Sequence, residues 1–164
     1  LPLGREEFDG DWWWQCSSPI VEPRQRFLRH FHKRFDNQYA VDMLPEKVGK
    51  VLTAGGPFKE HRNPRYMNVA PEMHWYCIGD ADEIRRLLRL CYNIGFGHTK
   101  GYGQVTHWTV EPTDDESIAR FHRPLPVAFA AQHRDDVGPG STVMTWGIRS
   151  PGRDPANQTL CWLP

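Results

Sequence analysis

Met73-His-Trp-Tyr-Cys-Ile-Gly-Asp80, Ala81-Asp-Glu-Ile-Arg-Arg-Leu-Leu-Arg-Leu-Cys-Tyr92, Ile94-Gly-Phe-Gly-His-Thr-Lys-Gly-Tyr-Gly103 and Gln104-Val-Thr-His-Trp-Thr-Val110 follow one another along the chain, and their order decides the fold. The aromatic, β-prone run 73–78 predicts a strand that ends at Gly79-Asp80. Asp80 or Asp82 then caps a helix over 81–92. Its Ile84, Leu87, Leu88 and Cys91 recur at helical spacing, with Arg85, Arg86 and Arg89 on the other face, so the apolar stripe should lie on a sheet. The glycine-rich loop follows, then a strand over 104–110 that Glu111-Pro112 stops. Strand, helix, glycine loop and strand read as the second half of a β-α-β-β-α-β unit, with the last strand returning beside the first.

The glycines stand after a helix and before a strand, which excludes the usual nucleotide-cofactor reading. Dinucleotide and P-loop sites need the opposite order, so that phosphate meets a helix N-terminus. Gly95, Gly97, Gly101 and Gly103 instead permit positive φ and close backbone approach. His98, Thr99 and Lys100 at the tip, beside Tyr102, suit contact with a phosphodiester, with exposed N–H groups forming an anion nest. The same pattern also serves a glycine-rich helix end and β-bulge with no ligand.

The remaining chain is looser. Residues 12–18 read as a strand broken by Ser-Ser-Pro, in which Trp12 and Trp14 share one side and Trp13 opposes them. One of those faces should be core. Residues 24–35 place Phe27, Leu28, Phe31 and Phe35 among many bases, as a short helix or one arm of a hairpin. Gly55-Gly56-Pro57 opens an irregular basic stretch through Arg65, and β pieces are expected at 127–131 and 143–149, split by Gly138-Pro139-Gly140.

At 164 residues the chain fits one domain, perhaps with a lobe, and can bury a real core. Its formal net charge is zero, yet between Pro23 and Tyr66 ten bases face four acids. Such a local positive field suits a polyanion, and no strongly apolar helix accompanies it to suggest a membrane surface. A solvated face with no ligand is the plainer reading of charge alone. Seven Trp add amphipathic surface for a partner protein or for stacked bases. No apolar run approaches a membrane span. Cys16, Cys77, Cys91 and Cys161 are scattered without a C-x-x-C pair, so free thiols in a reducing cytoplasm are expected, with no disulfide framework, no zinc and no cofactor. The opening Leu1-Pro-Leu-Gly4 reads as mid-domain loop, so a preceding natural segment is expected.

The helix followed by Ile94-Gly-Phe-Gly-His-Thr-Lys-Gly-Tyr-Gly-Gln-Val105 closely resembles the glycine-loop signature of the RAMP superfamily of CRISPR-associated proteins. Trp12-Trp-Trp-Gln-Cys-Ser-Ser-Pro19, Gly56-Pro-Phe-Lys-Glu-His-Arg62, Trp75-Tyr-Cys-Ile-Gly-Asp80, Arg123-Pro-Leu-Pro126 and Cys161-Trp-Leu-Pro164 resemble the small, Cas-five-like subunit of type IV systems. The resemblance implies an α+β, ferredoxin-like (RRM-type) fold over 1–164, with the glycine loop between second helix and last strand. It also implies a basic thumb or hairpin inserted at 23–66 and an irregular β-rich extension at 124–164. Family members carry a strand and a helix ahead of the Leu-Pro-Leu region that this sequence does not show.

In function, the resemblance implies a cytoplasmic, non-catalytic subunit that clamps the 5′ handle of a CRISPR RNA and caps the backbone of an effector ribonucleoprotein. Expected partners are that RNA, Cas-seven-like backbone subunits, a large subunit and target DNA near its flanking motif, with no membrane. Arg24, Arg26, Arg29, Lys59, His61, Arg62 and Arg65, together with the loop residues 95 and 97–102, are the expected RNA contacts, Tyr66 adding a flat ring. The rival expectation is a metal-independent endoribonuclease recruiting His30, His32, His61, His98 or Lys100, with His98 and Lys100 foremost.

Overall fold

The computed structural model describes residues 1–34, 54–56, 59–95, 97–98, 101–137 and 142–164. Asp9-Gly10 sets the first element. Both residues take positive φ, 50° and 82°, the pairing that matches the twist of a two-residue hairpin. Strands β1 (Arg5–Phe8) and β2 (Asp11–Trp14) therefore pair antiparallel, with Phe8 opposite Asp11 and Arg5 opposite Trp14. Alternation along β2 sends Trp13 inward, where it is 1% exposed. Trp12 and Trp14 share the other side, their rings edge to face at 5.2 Å. The guanidinium groups of Arg5 and Arg149 lie over the Trp12 ring at 4.3 and 5.2 Å.

The chain divides into two compact units, residues 1–20 with 74–164, and residues 21–73. The two-residue strands β3 (Ile20–Val21) and β6 (Met73–His74) stand where the chain passes from one unit to the other. In the second unit β4 (Gln25–Lys33) and β5 (His61–Val69) form one long antiparallel hairpin, registered from Gln25 opposite Val69 to Lys33 opposite His61. Of the two forms open to 24–35, the chain takes the hairpin arm, without a helix through Lys33. Pro64 is tolerated in β5 because each strand of a two-stranded ribbon keeps one unpaired edge.

In the first unit, helix α1 (Ala81–Leu88) begins where Asp80 predicts. Its Oδ1 accepts from the N–H groups of Asp82 at 3.0 Å and Glu83 at 3.1 Å, satisfying two of the helix's orphan donors. Asp80→Ala should cost about 1 kcal/mol, read as a lowered urea midpoint at unchanged m. An unchanged midpoint would show the helix held by its packing alone. Next come α2 (Ser117–Phe121), β7 (Leu125–Pro126), α3 (Val127–Gln132), β8 (Thr142–Gly147) and β9 (Gln158–Leu163). Strand β9 is central, pairing antiparallel with β7 and β8. The core gathers Trp13, Phe121, Leu125, Phe129, Ala130, Val137, Ile148 and Cys161 from these pieces. Trp13 and Phe8 both meet the Phe129 ring edge-on, at 5.0 and 5.3 Å, a geometry the ring quadrupoles favour.

Several expectations are corrected: the helix expected over 81–92 ends at Leu88, and residues 61–65, expected irregular, are the start of β5. Residues 127–131 are helical, because Val127-Ala-Phe-Ala-Ala-Gln132 joins two good helix formers' propensities to a Pro126 start, and Phe129 and Ala130 bury one face. The run 73–78 is a strand only at Met73–His74. Beyond it, Ile78 docks on the open end of the β1–β2 hairpin, its N–H donating to Gln15 O at 3.0 Å and its carbonyl accepting from Gly4 N at 2.6 Å. Its expected neighbour, 104–110, therefore forms no strand beyond a single antiparallel bridge between Asn93 and Gln104. That segment is held instead by side chains: Trp108 Nε1 donates to Cys91 O at 2.8 Å and Arg85 Nη2 to Val110 O at 3.1 Å. The fold is mixed α/β with few helices and small antiparallel sheets. Among the described residues the largest sheet has three strands, so the four-stranded sheet of a ferredoxin-like plan is not drawn by these pairings.

Candidate nucleic-acid interface

The expected RNA contacts fall in two places. Arg24, Arg26, Arg29, Lys59, His61, Arg62 and Arg65 belong to the hairpin unit, and Gly95, Gly97, His98, Gly101 and Tyr102 to the other. Thr99 and Lys100 lie outside the described residues, as do Lys47 and Lys50 of the basic segment.

Strands β4 and β5 read QRFLRHFHK and HRNPRYMNV, with five Arg or Lys, three His and no carboxylate. All seven expected contacts of this unit are exposed. Arg24 sits just before β4, its N–H donating to Val69 O at 2.8 Å, and Lys59 just before β5, its N–H donating to Gly56 O at 3.2 Å. Residues directly opposite across an antiparallel pair project to the same side. The register thus splits the cations. Arg29, Lys33, His61 and Arg65 share one face, with Phe27, Phe31 and Met67. Arg26, His30, His32 and Arg62 share the other, with Leu28 and Tyr66. On that second face the Arg26 guanidinium lies over the Tyr66 ring at 4.4 Å, and the rings of His30 and His32 are 6.3 Å apart. Desolvation first, then the positive charge of Arg62, Arg34 and His30, holds the His32 imidazole below the usual histidine pKa.

The glycine loop is closed by its own backbone. Val105 N donates to Tyr92 O at 2.9 Å, Ile94 N to Gly103 O at 2.9 Å, and Gly101 N to His98 O at 3.0 Å. Asn93 Nδ2 adds a bond to Tyr102 O at 3.2 Å. Gly95, Gly97, Gly101 and Gly103 all take φ between 66° and 86°, the left-handed region that side chains disfavour. A Cβ on Gly103 would overlap the Ile94 carbonyl oxygen, whereas one on Gly101 would meet nothing. The His98 ring does not point away from the loop: its Nδ1 lies 3.2 Å from Gly95 O, within hydrogen-bond reach. That contact gives His98 a place in the loop's own scaffold.

Two features escaped the sequence. The Arg26–Tyr66 stack joins residues forty positions apart and exists only through the hairpin register. Arg123, quoted for its Pro-Leu-Pro neighbours alone, is a structural tie: its guanidinium donates to the carbonyls of Trp14, of Cys16 at 3.4 Å and of Ile148 at 2.8 Å. Among the described residues no three His, Cys, Asp or Glu side chains gather closely enough for a metal ion, and no helix is long and apolar enough to cross a membrane.

No curated protein matches the chain. Residues 1–157 match the family described as CRISPR type IV associated protein Csf3, a span that contains the hairpin, the glycine loop and the Arg123 tie. The chain belongs to the Csf3 family of type IV CRISPR-associated proteins, a Cas-five-like RAMP subunit.

Proposed function

We propose that this chain is a non-catalytic RNA-binding subunit that clamps the 5′ handle of the CRISPR RNA in a type IV effector complex, in the cytoplasm, beside backbone and large subunits. The observation that carries the proposal is the hairpin itself: eighteen residues with five permanent cations, three histidines and no carboxylate. Aligned cations without acids attract phosphates, and an exposed aromatic ring among them accepts an unstacked base. The same reading takes 23–66 as a thumb on a ferredoxin-like family core, and the glycine loop as a second, backbone-mediated phosphate contact. Family membership supports a role in the effector complex.

The test is binding of a handle-bearing transcript and a scrambled control by the purified chain across a salt series, with charge reversal at Lys59 and Arg62. The expected result is handle-preferring binding that falls with salt and a double reversal that weakens it at least tenfold, because each single-strand phosphate contact contributes about 0.7 to the log–log salt slope. Equal binding by the reversed protein would overturn the clamp. The same samples, followed without metal, report on catalysis: intact RNA is expected, and cleavage lost on His98→Ala would replace the clamp by a processing nuclease.

A further inference from the structure

We infer that the two faces of the β4–β5 hairpin divide their labour, and that the face bearing Arg26, Leu28, His30, His32, Arg62 and Tyr66 holds one unstacked base and a nearby phosphate of a single-stranded RNA. The inference rests on the RNA-binding reading above and names the subsite. Tyr66 is 67% exposed, and Leu28, directly opposite it in the register, is 48% exposed. The Arg26 guanidinium already covers one face of this open ring at 4.4 Å, so the pair is a flat platform that carries a cation. Two pairs further along the same face stand Arg62 and its register partner His32, with His30 beside them. Arg62 is exposed, and nothing acidic shares its face. Arg62 stands four residues along β5 from Tyr66, about 13 Å at strand rise, so a long guanidinium side chain there can meet a phosphate within about two nucleotides of a base stacked at Tyr66.

The opposite face differs in kind. Phe31 and Met67 are half-buried there, and Arg29, Phe31, Lys33 and Arg65 each already take part in an interaction of their own.

The experiment uses the full chain and a fluorescently labelled, handle-bearing single-stranded RNA. Tyr66→Ala should weaken binding about tenfold with the salt slope unchanged, since a stacked ring releases no counterion. Tyr66→Phe should restore near-normal affinity. Arg62→Gln should weaken binding and lower the salt slope by about 0.7. Phe27→Ala, on the opposite face, should leave affinity within about twofold. Loss of affinity in Phe27→Ala with none at Tyr66 and Arg62 would overturn the assignment of faces while leaving the clamp standing. Equal loss in Tyr66→Ala and Tyr66→Phe would remove the stacking. No RNA binding by the unsubstituted chain would remove the clamp, and the subsite with it.

Discussion

Arg123→Met should destabilise the protein by about 3 kcal/mol, a larger effect than any surface substitution in the chain. The guanidinium is half-buried, and burial holds its pKa below the usual arginine value, with the nearby thiols of Cys16 and Cys161 acting in the opposite direction. Among the described residues no carboxylate is a hydrogen-bond partner of Arg123. It donates instead to the carbonyls of Trp14 and Cys16, at and beyond the end of β2, and of Ile148, just after β8. One planar fork thus joins the N-terminal hairpin to the C-terminal sheet at positions 109 and 25 residues away. Methionine keeps much of the stem's packing but takes the donor from the carbonyls of Cys16 and Ile148 in a region where water reaches poorly, while the Trp14 carbonyl keeps only the Cys16 N–H at 2.9 Å. With m near about 2 kcal/mol/M, the urea midpoint should fall by about 1.5 M. Arg123→Lys should recover only part of this, because an ammonium cannot offer a planar fork to carbonyls on separate segments. A midpoint lowered by less than about 0.5 M in Arg123→Met would show that the carbonyls find other donors.

The residues that form α1 were legible because its information is local. A capping aspartate, an apolar stripe and flanking acid and base all lie within twelve residues, and the cap and helix start stand where that pattern puts them, although the helix ends at Leu88, four residues before the expected Tyr92. Strand alternation set Trp13 against Trp12 and Trp14 without saying which side is core, and the structure makes it Trp13, alone of the three buried. What failed was pairing. Residues 104–110 alternate as a strand does, yet a strand exists only where a neighbour offers its backbone, and 76–80 is already bonded to the β1–β2 hairpin. The basic segment showed its charge in the sequence but not its two faces, because the face of each residue depends on a register linking 25–33 to 61–69 across a long connection. Arg123 was unreadable for the same reason: an arginine that holds backbone carbonyls carries no partner in the sequence to betray it.

The second large effect concerns the glycine loop and separates two roles that glycine can have. Gly101 and Gly103 both take left-handed φ, 80° and 66°. Alanine at Gly101 meets open space, so only the backbone conformation is penalised, at about 1 kcal/mol. Alanine at Gly103 bears that penalty and also presses on the carbonyl oxygen of Ile94, a backbone atom with no rotamer to escape into. Ile94 is the same residue whose N–H donates to Gly103 O, so relief of the clash must stretch the bond that closes the loop. Gly103→Ala should therefore open the loop at a cost of about 3 kcal/mol. Exchange of the Ile94 amide should accelerate about a hundredfold relative to the unsubstituted protein, against about fivefold in Gly101→Ala. The core around Trp13 and Phe129 is built from other segments, so core amides should keep their protection. If the loop also holds phosphate, handle RNA should bind Gly103→Ala more weakly than Gly101→Ala in the same order as the amide rates. Equal exchange in the two variants would mean that Gly103 is selected for its φ alone and that the approach to Ile94 relaxes without opening the loop.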